Sequence, residues 1–359
     1  MILGTIKNYF AGGNTPEGFY SFFHYLPYQA ERVFILKGGP GTGKSTFMKK
    51  IAAELIRKDL DIEFHWCASD KDSLDGLLIP ELKLAFFDGT TPHLTDPAFP
   101  GLIEEIINLD QFLDKDTLQK NREQIIHLGE SVRQNFQQAY SFLKAAKIIY
   151  LHWKKYYQAS QDRKKYYQLV HELIRKNIKP VDFKPGRERH LFGSAITPQG
   201  PVNYLENISA DINNRILIKG SPGTGKSRLI QSFCQEAAKY GYFILYLHCP
   251  LEPEKLDGAI IPELDTALLV GTPPHCLEGI KTTDTIINLG ETIDLDYIKK
   301  NNGEILDAEK IYEDLMKRVY YFLKKARSHY EELEKYYTGA LNFEKVDNLR
   351  EELIKKILP

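Results

Sequence analysis

The feature that most constrains this chain is a glycine-rich octapeptide that occurs twice, GGPGTGKS at 38–45 and GSPGTGKS at 220–227. Lys44 and Lys226 stand 182 positions apart, and the surrounding sequence matches at that same offset. Between 65–93 and 247–275, 13 of 29 positions are identical without a gap. The match reaches back to Phe10 and Phe192, and to Thr15-Pro16-Glu17-Gly18 against Thr197-Pro198-Gln199-Gly200. After a slip of two residues it resumes, with IINLD (106–110) opposite IINLG (286–290) and YSFLKAAK (140–147) opposite YYFLKKAR (320–327). Solenoid repeats run at roughly 20–50 residues, so this period marks a duplicated domain. At 359 residues the chain suits two such units, 1–180 and 181–359. They join where Pro180 and Pro185-Gly186 interrupt a helical pattern.

Each copy reads in the same order. A β-branched and aromatic run (33–36; 215–218) precedes the glycine-rich loop. An amphipathic helix follows, with Phe47, Ile51 and Leu55 on one face, matched by Leu229, Phe233 and Ala237. A second strand comes next (62–67; 243–249), then a short proline-containing segment and a third strand (84–87; 266–270). Strand, loop, helix, strand opens a βαβ unit. The expectation is an α/β fold with two tandem cores, each a mainly parallel sheet with flanking helices. Residues 117–178 and 297–357 lack proline and carry helical stripes such as Tyr140, Leu143, Lys147, Tyr150 and Leu151. The segments 117–180 and 297–359 are therefore expected to form long helical hairpins or arms appended to each core.

Both octapeptides satisfy G-x-x-x-x-G-K-[ST], the P-loop (Walker A) pattern, and the chemistry explains each residue type. Glycines let successive backbone N–H groups turn inward as an anion nest at a helix N-terminus, where the helix dipole adds positive charge. The lysine supplies a mobile ammonium for the β- and γ-phosphates, and the serine hydroxyl serves Mg²⁺. The candidate nucleotide-binding residues are Gly38, Gly39, Pro40, Gly41, Thr42, Gly43, Lys44, Ser45 and Thr46 in the first copy. In the second they are Gly220, Ser221, Pro222, Gly223, Thr224, Gly225, Lys226, Ser227 and Arg228. No N-K-x-D guanine reader occurs, so ATP is favoured over GTP.

Turnover needs more than the loop. Mg²⁺ chemistry calls for an Asp at the end of a neighbouring strand. Asp88 ends the run Leu84-Ala85-Phe86-Phe87 and is the candidate, although Asp-Gly is also a turn pair. Lys44 and Asp88 are thus the candidate catalytic pair, with Ser45, Asp88 and Ser227 the candidate metal ligands. The residue aligned with Asp88 in the second copy is Val270, which implies one working site and one weaker or regulatory site. Glu81 and Glu263 of the repeated IPEL, and Asp75 and Asp257 of the repeated LDG, are further acids; each also reads as a turn or strand-end residue. His93 and His275 end the matched segments TTPH and TPPH, as phosphate sensors or, more plainly, loop caps. His248, Cys249, His275 and Cys276 are zinc-type residues in a spacing that matches no ligand pattern. Arg122, Arg187 and Arg189 are the candidates for an arginine finger.

The charge pattern limits the partners. A formal net charge of −1 argues against coating nucleic acid with the whole surface. Locally, 117–180 carries 13 Lys/Arg against 4 Asp/Glu, whereas 297–359 carries 13 against 12. The first arm interleaves bases with aromatics, in HWKKYY (152–157) and RKKYY (163–167). That pattern suits a nucleic acid or other acidic partner, or a solvated face whose aromatics pack on a second helix. The second arm is a candidate dock for the first, within one chain or across a homodimer. Four cysteines without a CxxC pair, and an N-terminus without an apolar core and cleavage site, suggest a cytoplasmic protein and no membrane partner.

The segments GGPGTGKST, SLDGLLIPEL, DGTTPH (88–93) and PG…EEIINLD (100–110), followed by a second copy, carry a resemblance. The chain resembles, over essentially its whole length, a family of tandem-P-loop ATPase-like proteins of spore-forming Gram-positive bacteria. The resemblance implies a cytoplasmic ATP-binding protein or ATPase of the P-loop NTPase superfamily. Asp88 matches the family's DGT, and Val270 departs from it. Three function classes follow: an ATPase whose nucleotide state moves the arms, a small-molecule or nucleotide kinase, and a non-catalytic ATP-sensing module with an unknown macromolecular partner.

Overall fold

Val33, Phe34, Ile35 and Leu36 are all buried, so Arg32–Lys37 lies inside a sheet covered on both faces. The computed structural model describes residues 4–92, 96–181, 185–275 and 281–357. The first sheet has six strands in the spatial order Ile6–Tyr9, Ile62–Cys67, Asp70–Ile79, Leu84–Asp88, Arg32–Lys37, Glu104–Asn108. Only Asp70–Ile79 runs antiparallel to its neighbours. The second sheet repeats that order with Glu188–Phe192, Ile244–His248, Leu256–Ile261, Thr266–Val270, Asn214–Lys219 and Thr285–Asn288. Again a single strand, Leu256–Ile261, is antiparallel. The chain is therefore α/β, with two mixed, mostly parallel sheets and flanking helices.

The antiparallel strands correct the expectation of a short link between the second and third strands. Asp75-Gly76 reads as a turn, yet it lies mid-strand, and Leu74 to Ile79 are all buried. Glycine is needed there because a Cβ at Gly76 would sit 2.4 Å from Leu26 Cδ1. The edge strands Glu104–Asn108 and Thr285–Asn288 are short and half exposed, with Ile106 and Ile286 facing solvent, so their apolar periodicity is weak.

The two copies meet about a local two-fold relation. Phe10 and Phe192, equivalent in the duplication, exchange backbone hydrogen bonds of 3.0 and 2.9 Å. One apolar cluster joins the facing sides of the sheets, including Val33, Ile35 and Leu78 from one copy and Leu217, Leu245 and Ile260 from the other.

The arms correct a second expectation. They are not hairpins appended to their own cores; they are exchanged. Arg122–Ala159 and Asn302–Ala340 pack on each other through Ala139, Leu143 and Ala146 against Met316, Val319 and Leu323. The helix after the first arm, Arg163–Asn177, buries Tyr166, Val170 and Leu173 against the second copy's helix Lys226–Lys239. Its counterpart Phe343–Ile357 buries Val346, Leu353 and Ile354 against the first copy's helix Lys44–Ile56. Equivalent backbone bonds fasten each crossing, Asp162 N to Thr292 O at 2.7 Å and Asn342 N to Phe112 O at 3.1 Å. Among the described residues no helix is long and apolar enough to cross a membrane.

Candidate functional sites: two glycine-rich loops capped in trans

Each glycine-rich loop runs from a buried strand into the first turn of a helix, and its shape follows from its residues. Gly43 and Gly225, with φ of 85° and 95°, stand just before the helix, in a region where side chains are strained. Thr42 and Thr224 are fully buried, and their hydroxyls donate to Gly39 O and Ser221 O, both at 2.8 Å. The Lys44 ammonium donates to the Gly38 and Gly39 carbonyls, and Lys226 to those of Gly220 and Ser221. The Ser45 hydroxyl accepts from Leu74 N at 2.9 Å, and Ser227 from Leu256 N at 2.8 Å. Asp75 and Asp257, one residue further on, are thereby buried beside each loop.

The surroundings of the two loops differ. At the first, Asp88 Oδ2 lies 3.6 Å from Lys44 Nζ, while its Oδ1 accepts from Thr90 N at 2.8 Å. Asp110 Oδ1 accepts from Gly39 N at 2.8 Å. At the second, the equivalent residues are Val270, which is buried, and Gly290. Burial there pushes the Lys226 ammonium down to about 8; Asp257 opposes the shift and Lys154 adds to it. Asp257 Oδ2 lies 2.9 Å from His275 Nε2 without hydrogen-bond geometry between them, both residues being buried. Their first-copy counterpart to His275, His93, lies outside the described residues, as does Cys276.

Each loop is capped by the other copy's arm. Over the first, Thr338 Oγ1 donates to Gly41 O at 3.3 Å, and a Cβ at Gly39 would lie 2.5 Å from the Tyr337 ring. Burial raises both the Glu334 carboxyl and the Tyr330 phenol, which faces Glu334, Cys67, Asp88 and Asp75. Arg327 opposes the Glu334 shift from 3.3 Å and also pairs with Asp70 at 3.0 Å. Over the second loop, Gln161 Nε2 donates to Thr224 O at 2.6 Å and Tyr166 OH to Gly225 O at 3.1 Å. A Cβ at Gly223 would lie 2.3 Å from Lys154 O. Lys154 Nζ bonds both oxygens of buried Glu252, at 2.8 and 2.6 Å.

Several sequence candidates lie elsewhere. Glu81 and Glu263 follow the antiparallel strands and accept from Asp61 N and Phe243 N, at 3.0 and 3.2 Å. Arg189 is buried against Glu63 at 2.8 Å, beside a cavity of about 540 Å³ between the copies that shares no residue with either loop. His248 is paired with His190 at 2.7 Å, and no described group of three or more His, Cys, Asp or Glu is arranged to hold a metal. The aromatics of the basic arm divide: Tyr166 is buried and Tyr150 and Trp153 meet Tyr312, whereas Tyr167 is exposed. Sequence reasoning missed Asp110, Tyr330, Glu334 and Lys154. Aspartate opposite glycine in the repeated IINL segment was the available signal for the first. The others depend on the exchange of the arms.

No protein family, curated protein or solved structure matches this chain.

Proposed function

We propose that the chain binds ATP in two tandem P-loop NTPase cores and hydrolyses it at the first, the second being weaker or regulatory. The observation that carries this reading is the pair of glycine-rich loops, each opening a helix with its lysine ammonium held at the loop carbonyls. On phosphate binding Lys44 would exchange the Gly38 and Gly39 carbonyls for β- and γ-phosphate oxygens. Ser45 and Asp88 offer oxygen ligands that suit the hard Mg²⁺ ion; when bound, the metal neutralises charge on the transferring phosphoryl. The first cradle fits that ion, whereas Ser227 lacks an acid in the place of Asp88. Thr338 and Gln161 hydrogen-bond the loops from the exchanged arms, which supports transmission of nucleotide state to the helices and to a partner they engage. The test is phosphate release from ATP with Mg²⁺, which Lys44→Ala should abolish. Intact ATP binding with no measurable release would leave the non-catalytic reading in its place.

A further inference from the structure

We infer that Lys154, reaching across from the first copy's arm, is a phosphate-binding cation of the second cradle and lets it hold a polyphosphate without a divalent metal. The inference rests on the nucleotide-binding reading above and specifies the ligand chemistry of the second site. A cavity of about 170 Å³ at that loop is lined by Lys154, Lys226, Arg228 and Lys255, with Glu252 and Asp257 as its acids. Four cations converging on one recess recognise a polyanion. Glu252 is already engaged by Lys154, and His275 Nε2 lies 2.9 Å from Asp257 Oδ2.

The recess is smaller than the roughly 300–1,000 Å³ that encloses a whole small molecule. It takes the phosphate tail and leaves the nucleoside at the mouth. A divalent ion on a triphosphate chiefly offsets its charge; here ammonium and guanidinium groups do so, where the first cradle has acids. In the slipped alignment the counterpart of Lys154 is Glu334, so this cation belongs to the second cradle alone. The buried Lys154–Glu252 pair is the resting form, and an incoming phosphate competes with Glu252 for the ammonium.

The experiment uses the full chain carrying Lys44→Ala, with ATP and inorganic triphosphate titrated calorimetrically in Mg²⁺ or in EDTA. Both ligands should bind in EDTA, and Lys226→Ala should remove that binding. Glu252→Gln should tighten it by freeing Lys154. Adding Lys154→Met to Glu252→Gln should then weaken it about tenfold relative to Glu252→Gln alone. The paired change leaves no orphaned buried charge, so folding is preserved. Equal affinity of these last two proteins, or loss of second-site binding in EDTA, overturns the inference while the nucleotide reading stands. If neither the parent nor Lys44→Ala binds ATP with or without Mg²⁺, the nucleotide reading falls and the role of Lys154 with it.

Discussion

The two loops share a backbone design and differ in the side chains around it. Asp88, Asp110 and Glu334 surround the first; Val270, Gly290 and Lys154 stand at the equivalent places of the second. The inner bonds are nevertheless matched, from the buried threonines to the serines that accept from Leu74 and Leu256. The glycine-rich sequence determines the shape of each loop, and its neighbours determine the charge around it. Because the arms are exchanged, part of each neighbourhood is supplied by the opposite copy. The copies can therefore diverge in charge without disturbing either loop.

The largest expected effect lies in the strand that feeds the second loop. Arg215 is 1% exposed and pairs through two nitrogens with Asp284 at 2.8 and 2.6 Å, where the first copy has Val33. Arg215→Val leaves the buried Asp284 carboxylate without its cation, held among the described residues only by the Lys281 N–H at 2.8 Å, which should cost about 3–5 kcal/mol. Removing both charges, Arg215→Val with Asp284→Ala, leaves no stranded carboxylate and should recover most of that loss. Chemical denaturation measures both, and a single variant within about 1 kcal/mol of the parent would refute the argument.

The next effect separates the sites by chemistry. Lys44→Ala should reduce phosphate release at least about 100-fold, the scale of losing one charged transition-state contact. Lys226→Ala should leave release within a few-fold of the parent, since Val270 stands where the first site has Asp88. Equal losses in the two variants would mean that the copies are equivalent despite their charges.

The sequence made the loops legible because their residue types are dictated by backbone geometry. The strands 33–36 and 84–87 were legible because they are uninterrupted apolar runs. The antiparallel Asp70–Ile79 was hidden by Asp75-Gly76, a pair whose local preference for a turn is overridden by the packing of Leu26 against Gly76. The exchange of the arms was hidden for another reason. An apolar stripe such as Leu143 and Ala146 requires a partner but does not say which copy supplies it, so Lys154 and Glu334 could not be placed at the loops.

The acid stability of the copies should also differ. His190 Nδ1 lies 2.7 Å from His248 Nε2, while His248 Nδ1–H donates to Pro253 O. In the first copy Asn8 and Trp66 occupy these positions, with Trp66 Nε1 donating to Asn8 Oδ1 at 2.7 Å. Burial holds His248 down to about 4 and His190 below its usual value; Glu188 and Asp257 oppose these shifts. The unfolded rings take up protons near pH 6.5 and the folded His248 only near 4. Stability is therefore full above pH 6.5 and falls as pH drops, flattening below about 4. For His248 alone the loss between pH 7.5 and 5 is about 2 kcal/mol. Replacing the pair with the first copy's residues, His190→Asn with His248→Trp, should remove that increment from denaturation curves at the two pH values. An unchanged acid loss would assign it to other groups.

The smallest difference tests the trans cap itself. Tyr166 OH donates to Gly225 O at 3.1 Å, and a Cβ at Gly225 would lie 2.8 Å from the Tyr166 ring. At the first loop the equivalent arm residue is Val346, and a Cβ at Gly43 would meet nothing within 4 Å. Tyr166→Phe keeps the ring and removes one hydrogen bond, so it should cost about 1 kcal/mol in global stability. Both glycines have positive φ, so Gly43→Ala carries backbone strain alone, whereas Gly225→Ala adds a clash with the ring. Gly225→Ala should therefore be the more destabilising, and Tyr166→Ala in the same chain should reduce the gap by opening space for the new methyl. Equal costs for the two alanine variants, or no relief from Tyr166→Ala, would mean that the exchanged helix does not press on the second loop in solution.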